Sequence, residues 1–333
     1  MTSVCAMTTA RKLAGPLLAA AIFGVTTLPA AAQSCPGKAI KIVVSTSPGG
    51  ITDILARVLG AHITGVTGQT VVIDNRAGGS GNIGMSEVSR SAPDGCTFGF
   101  ANTGNIVINP FLFSKMTYDP LTDLVPVGPV GTVQLFLVSN ATRIPATGLK
   151  DFVAYAKANP DKVSYAGAGA GTTPDLAWHD FARRAGLKTV VVPHRGTGPA
   201  TQAVIGGDVQ VTFVSMGPHM QFVEKGVLRV LGSAAPKRPP HMPDVPTFSE
   251  QGFPDFVAET WFALFAPKGT PQTILDQANS WTRGMHSVGE HQKRMAASFV
   301  APFPLTQGEF AKLVKSDAAK WEKMVRESGA KLD

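Results

Sequence analysis

Short runs of apolar, largely β-branched residues alternate along this chain with longer stretches in which apolar residues recur at helical spacing. In the first third, predicted strands at 40–44, 71–73 and 97–101 alternate with predicted helices at 53–66 and 82–89. Strands separated by helices are typical of crossover connections, which place parallel strands in one sheet and cover that sheet with helices. The chain is therefore predicted to be an α/β protein built on doubly wound sheets.

A second unit of the same kind follows. Its elements alternate in the order strand 135–138, helix 149–158, strand 163–166, helix 175–185, strand 189–192, helix 200–205 and strand 209–214. Because about 300 residues exceed the usual size of one hydrophobic core, we expect two lobes with separate cores. The helical C-terminal third is expected to pack back on the first lobe.

Two strand-like stretches, 135–138 and 261–265, are the expected crossovers between the lobes. These crossovers divide the chain into a discontinuous first lobe, residues 33–133 and 257–333, and a second lobe, residues 134–256. Ligands of open α/β sheets bind beyond the carboxyl ends of the strands, so we expect a ligand cleft between the lobes.

The first residues have the pattern of a secretory signal peptide. Arg11 and Lys12 precede an uncharged apolar stretch, 13–28, which ends in a proline and three alanines. Residues 1–32 are therefore predicted to be cleaved before Gln33 and the remainder to be exported. A membrane anchor is the alternative, but a span needs about 20 apolar residues. A lipoprotein is disfavoured because the next cysteine lacks a Leu-rich lipobox.

The charge of the chain disfavours nucleic acid as a partner. The formal net charge is +7, and removal of Arg11 and Lys12 leaves +7 − 2 = +5. The other basic residues are scattered among acidic ones rather than clustered. A mildly basic protein would help to steer anionic ligands.

Two cysteines remain after the predicted cleavage site. Cys35 and Cys96 each lie just before a predicted strand, 40–44 and 97–101. The first and third strands of a doubly wound sheet are commonly parallel neighbours, which would bring the two residues together. We predict a Cys35–Cys96 disulfide in an oxidising compartment; the alternative is two buried free thiols.

Two glycine-rich turns lie between a strand and a helix, one in each predicted lobe. The first is Ser45-Thr46-Ser47-Pro48-Gly49-Gly50-Ile51-Thr52-Asp53, and the second is Ala166-Gly167-Ala168-Gly169-Ala170-Gly171-Thr172-Thr173-Pro174-Asp175. Glycine allows close approach of the backbone, and the free N–H groups at a helix start attract anions. Two such helix starts facing each other suit a ligand with a carboxylate at one or both ends. The alternative is that the glycines serve turn geometry alone.

Further polar turns follow other predicted strands, at 78–82, 102–105 and 194–198. Each is expected to line the same cleft, although glycine, asparagine, serine and threonine are also the usual turn formers. His194 is expected to act as a hydrogen-bond donor in the cleft rather than as a base.

Catalytic and metal-binding motifs are lacking in the sequence. It contains no G-x-S-x-G, H-E-x-x-H or C-x-x-C pattern. We expect neither an enzyme nor a cofactor nor a metal site.

The chain also resembles a known family, the Bug proteins, which are periplasmic receptors of tripartite tricarboxylate transporters. The resemblance covers about residues 38–333. It is carried by Pro48-Gly49-Gly50 with Thr52-Asp53, Asp74-Asn75-Arg76, Gly81-Asn82-Ile83-Gly84, Ala92-Pro93-Asp94-Gly95, Asn109-Pro110, Tyr118-Asp119-Pro120, Lys237-Arg238, Pro243-Asp244-Val245-Pro246-Thr247, Trp261 and Ala266-Pro267-Lys268-Gly269-Thr270-Pro271.

This resemblance implies a periplasmic binding protein fold of two α/β lobes that binds carboxylates through the loops after the first strands of both lobes. The chain departs from the family pattern at Thr46-Ser47, where an aromatic residue and a proline are usual, and at His194-Arg195, where Tyr-Lys is usual. It also has Val214-Ser215 in place of an Asp-Asn whose acid can bind a ligand amino group. We therefore expect a ligand without an amino group.

The combined prediction is a periplasmic solute-binding protein that captures a small mono- or dicarboxylate, aromatic acids included, for a membrane permease. It is expected to be monomeric. The alternatives are a ligand-sensing partner of a membrane sensor kinase and a secreted hydrolase. The predicted ligand-binding residues are Ser47, Gly50, Thr52, Asp53, Ser80, Asn82, Asn102, Thr103, Gly169, Gly171, Thr172, Thr173, His194 and Ser215.

Overall fold

In the described part of the chain, eleven strands alternate with ten α-helices over most of the sequence, as predicted for an α/β protein. The computed structural model describes residues 1–3, 35, 38–194 and 196–332, so residues 4–32 of the predicted signal peptide lie outside the described part of the chain. Residues Gln33–Asp333 form one compact unit.

The strands are β1 (Ile40–Val44), β2 (Val71–Asn75), β3 (Thr97–Asn102), β4 (Leu124–Gln134), β5 (Phe136–Asn140), β6 (Ser164–Gly167), β7 (Val190–Pro193), β8 (Val211–Val214), β9 (Leu228–Ser233), β10 (Glu259–Pro267) and β11 (Ala301–Pro302). The α-helices are α1 (Ile51–Thr67), α2 (Asn82–Ser89), α3 (Asn109–Leu112), α4 (Leu149–Ala158), α5 (Thr173–Ala185), α6 (Thr197–Gly206), α7 (Met220–Glu224), α8 (Gln272–Gly284), α9 (Gly289–Ala297) and α10 (Gln307–Ser328).

The strands form two sheets. The first has the spatial order β11-β4-β10-β3-β1-β2, and the second has the order β7-β6-β8-β5-β9. In each sheet, parallel pairs (β1 with β2 and β3, β6 with β7 and β8) lie beside antiparallel ones. We call the first sheet with α1–α3 and α8–α10 the first lobe, and the second sheet with α4–α7 the second lobe. The exact boundaries at 133/134 and 256/257 stay a prediction.

Strand β1 shows why the first sheet has helices on both faces. Ile42 and Val44 lie in the core that contains Leu55 of α1, whereas Val43 lies in the core that contains Met85 of α2. Successive side chains of a strand point to opposite faces. Strand β1 is accordingly apolar on both faces except at Lys41, whose ammonium pairs with Asp74 and Glu87.

The disulfide predicted from strand adjacency is confirmed. Strands β1 and β3 are parallel neighbours, with Lys41 opposite Thr97. The residues that precede them are thereby brought to the same edge, and Cys35 and Cys96 are bonded with a Cα–Cα distance of 4.6 Å.

The passages between the sheets are shorter than predicted. Strand β5 begins at Phe136 and lies wholly in the second sheet, while 261–265 lies wholly in the first. The chain crosses from the first sheet to the second at Leu135 and returns to the first sheet at Ala258. These two residues adjoin, because the Leu135 N–H donates to the Ala258 carbonyl (3.4 Å) and the Ala258 N–H donates to the Ala234 carbonyl (2.9 Å).

The longest strand of the first sheet, β4, was not predicted. Its sequence contains Pro126 and Pro129, which cannot donate to a ladder. Both lie beside register shifts in the pairing with β10, where a donor is dispensable. The prolines therefore fit a bulged strand that the sequence pattern hides.

The C-terminal helices pack where the sequence indicated. Helices α8 and α10 lie on β4 of the first sheet, and α10 also contacts α5 of the second lobe. An ion pair of 3.2 Å joins Arg183 of α5 to Glu327 of α10. Among the described residues, no helix has the length and apolar character needed to cross a membrane.

Candidate functional site

A cavity of about 360 Å³ lies between the lobes, beyond the ends of β3, β6 and β8. From the first lobe it is lined by Ile51, Thr52, Ser80, Asn102, Gly104, Asn105, Asn109, Leu112, Val133, Thr260, Phe262 and Leu332. From the joint and the second lobe it is lined by Leu135, Ala170, Gly171, Thr172, Thr173, Pro174, Thr197 and Ser215. All these side chains are uncharged. This is the position at which open α/β sheets bind ligands.

The first loop, residues 45–50, leads into the amino end of α1. Gly50 is the N-cap and has no side chain to cover the first N–H groups of the helix. Thr52, in the first turn, is buried and lines the cavity. The positive end of the α1 dipole is thereby directed at the cavity wall.

Asp53 stabilises the first loop from within. Its carboxylate accepts the Gly49 N–H (2.9 Å), the Asn75 amide (3.0 Å) and the Arg57 guanidinium (3.0 Å). Burial alone would raise the pKa of Asp53, but these hydrogen bonds and the charge of Arg57 outweigh burial and lower it. The Asp53 carboxylate therefore bonds to the loop and to the side chains of Arg57 and Asn75, and it does not line the cavity.

The second loop, residues 168–172, repeats this design at the start of α5. Asp175 accepts the N–H groups of Ala168 (2.7 Å) and Gly169 (3.2 Å). Thr172, the N-cap, donates its hydroxyl to the Gly169 carbonyl (2.8 Å) instead of capping the helix. Burial raises the pKa of Asp175, against the lowering effect of the two backbone hydrogen bonds.

The second loop touches the first lobe. A Cβ atom on Gly171 would overlap with the side chain of Leu112 in α3, and the φ angle of Gly171 is +75°. Leu176 of α5 packs in the same apolar cluster as Leu112. The two lobes are therefore in direct contact at one side of the cavity.

A third helix start, that of α6, lies against the second loop. The N–H of its N-cap Gly196 donates to the Ala168 carbonyl (3.0 Å), and Thr197 lines the cavity. His194, two residues earlier, directs its Nδ1 at the Val192 carbonyl (2.9 Å). Three helix amino ends thus approach one cavity, one from the first lobe and two from the second.

Asparagine side chains hold the remaining wall of the first lobe. Asn105 donates to the Ser80 carbonyl (2.7 Å) and accepts the Ser45 hydroxyl (2.7 Å). Asn109 donates to the same Ser80 carbonyl (2.9 Å) and to Oδ1 of Asn82 (2.8 Å). This network fixes Ser80, a non-glycine residue with φ +53°, at the cavity wall.

The chain matches the model of the tripartite tricarboxylate transporter family receptor over residues 55–330. It belongs to that receptor family. The fold and the position of the cavity agree with this assignment.

The receptor is similar to individual members over nearly their whole lengths. Protein BugT of Bordetella pertussis is 34% identical over 305 residues, which cover 91% of this chain and 93% of BugT. An R. palustris protein solved with adipate is 30% identical with a TM-score of 0.76, covering 90% of this chain and 100% of that one. MatC from Rhodopseudomonas palustris, solved with bound malate, is 29% identical with a TM-score of 0.71, covering 87% and 99%.

Half of the predicted site residues of the receptor line the cavity: Thr52, Ser80, Asn102, Gly171, Thr172, Thr173 and Ser215. The others do not line the cavity, and their contact with a ligand stays a prediction. Thr103 is fully buried and accepts the Trp261 N–H (2.9 Å). Asp53, Asn82, Gly169 and His194 are engaged in the hydrogen bonds given above, and Ser47 and Gly50 are exposed loop residues.

The sequence reasoning missed much of the apolar wall, notably Leu112, Val133, Leu135, Phe262 and Leu332. These residues come from a short helix, strands and the C-terminal segment, so no turn pattern marks them. Asn109 was also missed, whereas Asn105 belongs to the polar turn 102–105 that was expected to line the cleft. Asn109-Pro110 is among the motifs that carry the family resemblance, and that signal could have identified this part of the wall.

Proposed function

We propose that this receptor captures a small organic acid with one or two carboxylates and no amino group. The observation that carries the proposal is the approach of uncapped helix starts from both lobes to one cavity walled by uncharged side chains. Helix amino ends stabilise anions through free N–H groups and the helix dipole. Adipate and malate, the compounds in two similar proteins, are acids of this class.

Helix ends alone do not account for useful affinity. Each contributes about 0.3 to 1 kcal/mol, or about 2 kcal/mol when partly buried, whereas micromolar binding corresponds to roughly 8 kcal/mol. The hydroxyls of Thr52 and Thr173 and the amide of Asn102 supply further hydrogen bonds, and the Thr172 hydroxyl can donate to the ligand only by leaving the Gly169 carbonyl. Apolar residues, among them Phe262, bury the hydrocarbon part of the acid.

Membership of the receptor family supports a proposal for the cellular role. We propose that the protein is exported by means of residues 1–32, works in the periplasm as a monomer, and delivers its unmodified ligand to membrane subunits of the transporter. A similar solved structure is described as the periplasmic binding protein BugD (27% identical, TM-score 0.71). Recovery of the ligand unchanged after prolonged incubation, measured by mass spectrometry, tests the absence of turnover.

The binding site is tested by a thermal-shift screen of organic acids on ligand-stripped protein, followed by calorimetry. Thr52→Ala and Thr172→Ala should each weaken binding by about two- to tenfold, as expected for loss of about 0.5 to 1.5 kcal/mol. Thr52→Ser and Thr172→Ser, which keep the hydroxyl, should bind nearly as the wild type does.

A matched control lies at the opposite end of α1, where the Thr67 hydroxyl donates to the Ile63 carbonyl (2.7 Å). Thr67→Ala should leave the dissociation constant unchanged. Failure of every acid to bind the wild type, or equal losses in all three alanine variants, would refute the placement of the site.

A further inference from the structure

Two leucines that lie far apart in the sequence form one apolar part of the cavity wall. Leu112 ends α3, and Leu332 follows α10; both line the cavity. The Leu332 N–H donates to the Leu112 carbonyl (2.9 Å), and Leu332 forms a parallel bridge with Phe113. The position of Leu332 is therefore set by main-chain bonds as well as by packing.

Leu112 is held firmly from behind. It is 3% exposed and lies in the cluster that contains Phe310 and Val325 of α10, against which Leu332 also packs. The first residue of its helix, Asn109, is anchored by two side-chain hydrogen bonds to Ser80 and Asn82. A side chain held in this way cannot retreat easily from a ligand that is too large.

The second lobe limits movement of the wall from the other side. Gly171 lies against the Leu112 side chain so closely that a Cβ atom would not fit between them. Leu112 is consequently confined between α10 and the second loop. Leu332 is only half-buried, and it lines the cavity beside Leu112.

We propose that Leu112 and Leu332 are specificity-determining residues that limit the size of the hydrocarbon part of the bound acid. The inference rests on the proposed function, because it concerns the same cavity. The polar groups of the helix starts bind carboxylates of any acid, so they do not distinguish chain length. A confined apolar wall does, because each methylene that fits gains burial and each that does not fit meets close-packed atoms.

The experiment compares dissociation constants for succinate, adipate, suberate and sebacate, and for butyrate and octanoate, by calorimetry on ligand-stripped protein. Leu332→Ala enlarges the cavity. In each series, the ratio of the dissociation constant of the shorter acid to that of the longer acid should therefore rise by about tenfold, as expected when roughly two methylene groups gain burial. Leu332→Phe reduces the cavity and should shift the same ratio in the opposite direction.

Leu112→Ala should act as Leu332→Ala does, and Leu332→Met, which nearly conserves volume, should keep the wild-type ratio. Leu121→Ala, at a leucine 38% exposed and outside the cavity, is the control for a nonspecific effect. Because Leu112 is buried, the Leu332 variants carry the test if Leu112→Ala does not fold.

The outcomes separate the two proposals. If the wild type binds acids and the ratio stays constant in both Leu332→Ala and Leu332→Phe, or moves in the same direction in both, this inference is overturned and the proposed function stands. If the wild type binds none of these six acids, this inference is overturned, and the proposed function is decided by the screen of organic acids described above.

Discussion

The loops that precede α1 and α5 have the same design but differ in how their acidic residue is stabilised. In each, an aspartate at the third helical position accepts backbone N–H groups of the loop, one in the case of Asp53 and two in the case of Asp175. Asp53 also has Arg57 and Asn75 as partners, and its pKa is lowered. Asp175 binds backbone groups inside the second lobe, and burial raises its pKa.

The comparison shows what the aspartates do. In two different electrostatic settings each aspartate accepts at least one backbone N–H group of its loop, so the common role of Asp53 and Asp175 is to hold the loop backbone in place. The groups that face the cavity are the helix starts and threonines, such as Thr52 and Thr172. The loops differ also in their surroundings, since Gly171 touches the other lobe and Gly49 does not.

The largest difference is expected between Gly171→Ala and Gly49→Ala. Both glycines have positive φ angles, +75° and +86°, so both variants are strained by about 1 to 2 kcal/mol. At Gly171 the new methyl group also meets Leu112, which adds about 1 to 3 kcal/mol. At Gly49 no described atom lies within 4 Å of the new group.

Affinity for the acid found by screening should therefore fall at least tenfold more in Gly171→Ala than in Gly49→Ala, by calorimetry. The double variant Gly171→Ala, Leu112→Ala should recover part of the loss. Equal losses in the two single variants would mean that the contact between the lobes is unimportant for binding.

A smaller difference is expected between Asp53→Asn and Asp175→Asn in urea unfolding at neutral pH. Asp53→Asn should lower the free energy of unfolding by about 2 kcal/mol, because an ionised acceptor of several hydrogen bonds is replaced. Asp175→Asn should lower it by about 1 kcal/mol or less, because its ionised form is already disfavoured by burial. Asp161→Asn, at an exposed position, is the control.

The two aspartates should also respond oppositely to pH. The lowered pKa of Asp53 stabilises the fold above the unfolded-state pKa of about 3.8, and this stabilisation is lost as the pH falls through the folded-state pKa. The raised pKa of Asp175 reduces stability as the pH rises above about 3.8. Identical pH profiles of the two asparagine variants would contradict the distinction between the loops.

Glu259, at the joint between the lobes, has an effect that depends on pH. It pairs with Gln134 across the strands, and burial raises its pKa to about 7, aided by Asp317 and opposed by Gln134 and Lys320. Wild-type stability should fall as the pH rises from about 4.5 to about 7 and stay lower above that range.

Glu259→Gln removes this titration. The variant should equal the wild type near pH 4 and exceed it by about 1 to 2 kcal/mol near pH 8, measured by urea unfolding at both values. A constant difference between the two proteins across this range would show that Glu259 titrates normally.

Much of the fold was predictable because its strands are buried on both faces. Runs such as 40–44 then become apolar apart from Lys41. The predicted adjacency of the strands 40–44 and 97–101 in turn predicted the disulfide between Cys35 and Cys96. Strand β4 was not predictable, since Pro126 and Pro129 resemble loop residues until the bulges opposite β10 are known.

The candidate site was predictable where it consists of turns and hidden where it consists of tertiary contacts. The glycine-rich pattern pointed to Thr52 and Thr172, which line the cavity. The same pattern pointed to Asp53. The hydrogen bonds of Asp53 with Arg57 and Asn75 could not be predicted, because they depend on how α1 and β2 pack against each other. Leu112 and Leu332 meet through a hydrogen bond that no local pattern encodes.

The two connections between the sheets, at Leu135 and Ala258, lie side by side and restrict how a ligand can enter the cavity. Because they adjoin and share hydrogen bonds, a rotation about a line through them would disturb few bonds, whereas a translation of one half past the other would break them. Leu135 itself lies on the cavity wall. Opening by rotation would therefore widen the side remote from Leu135 first, which makes that side the entrance and the Leu135 side the closed end of the route.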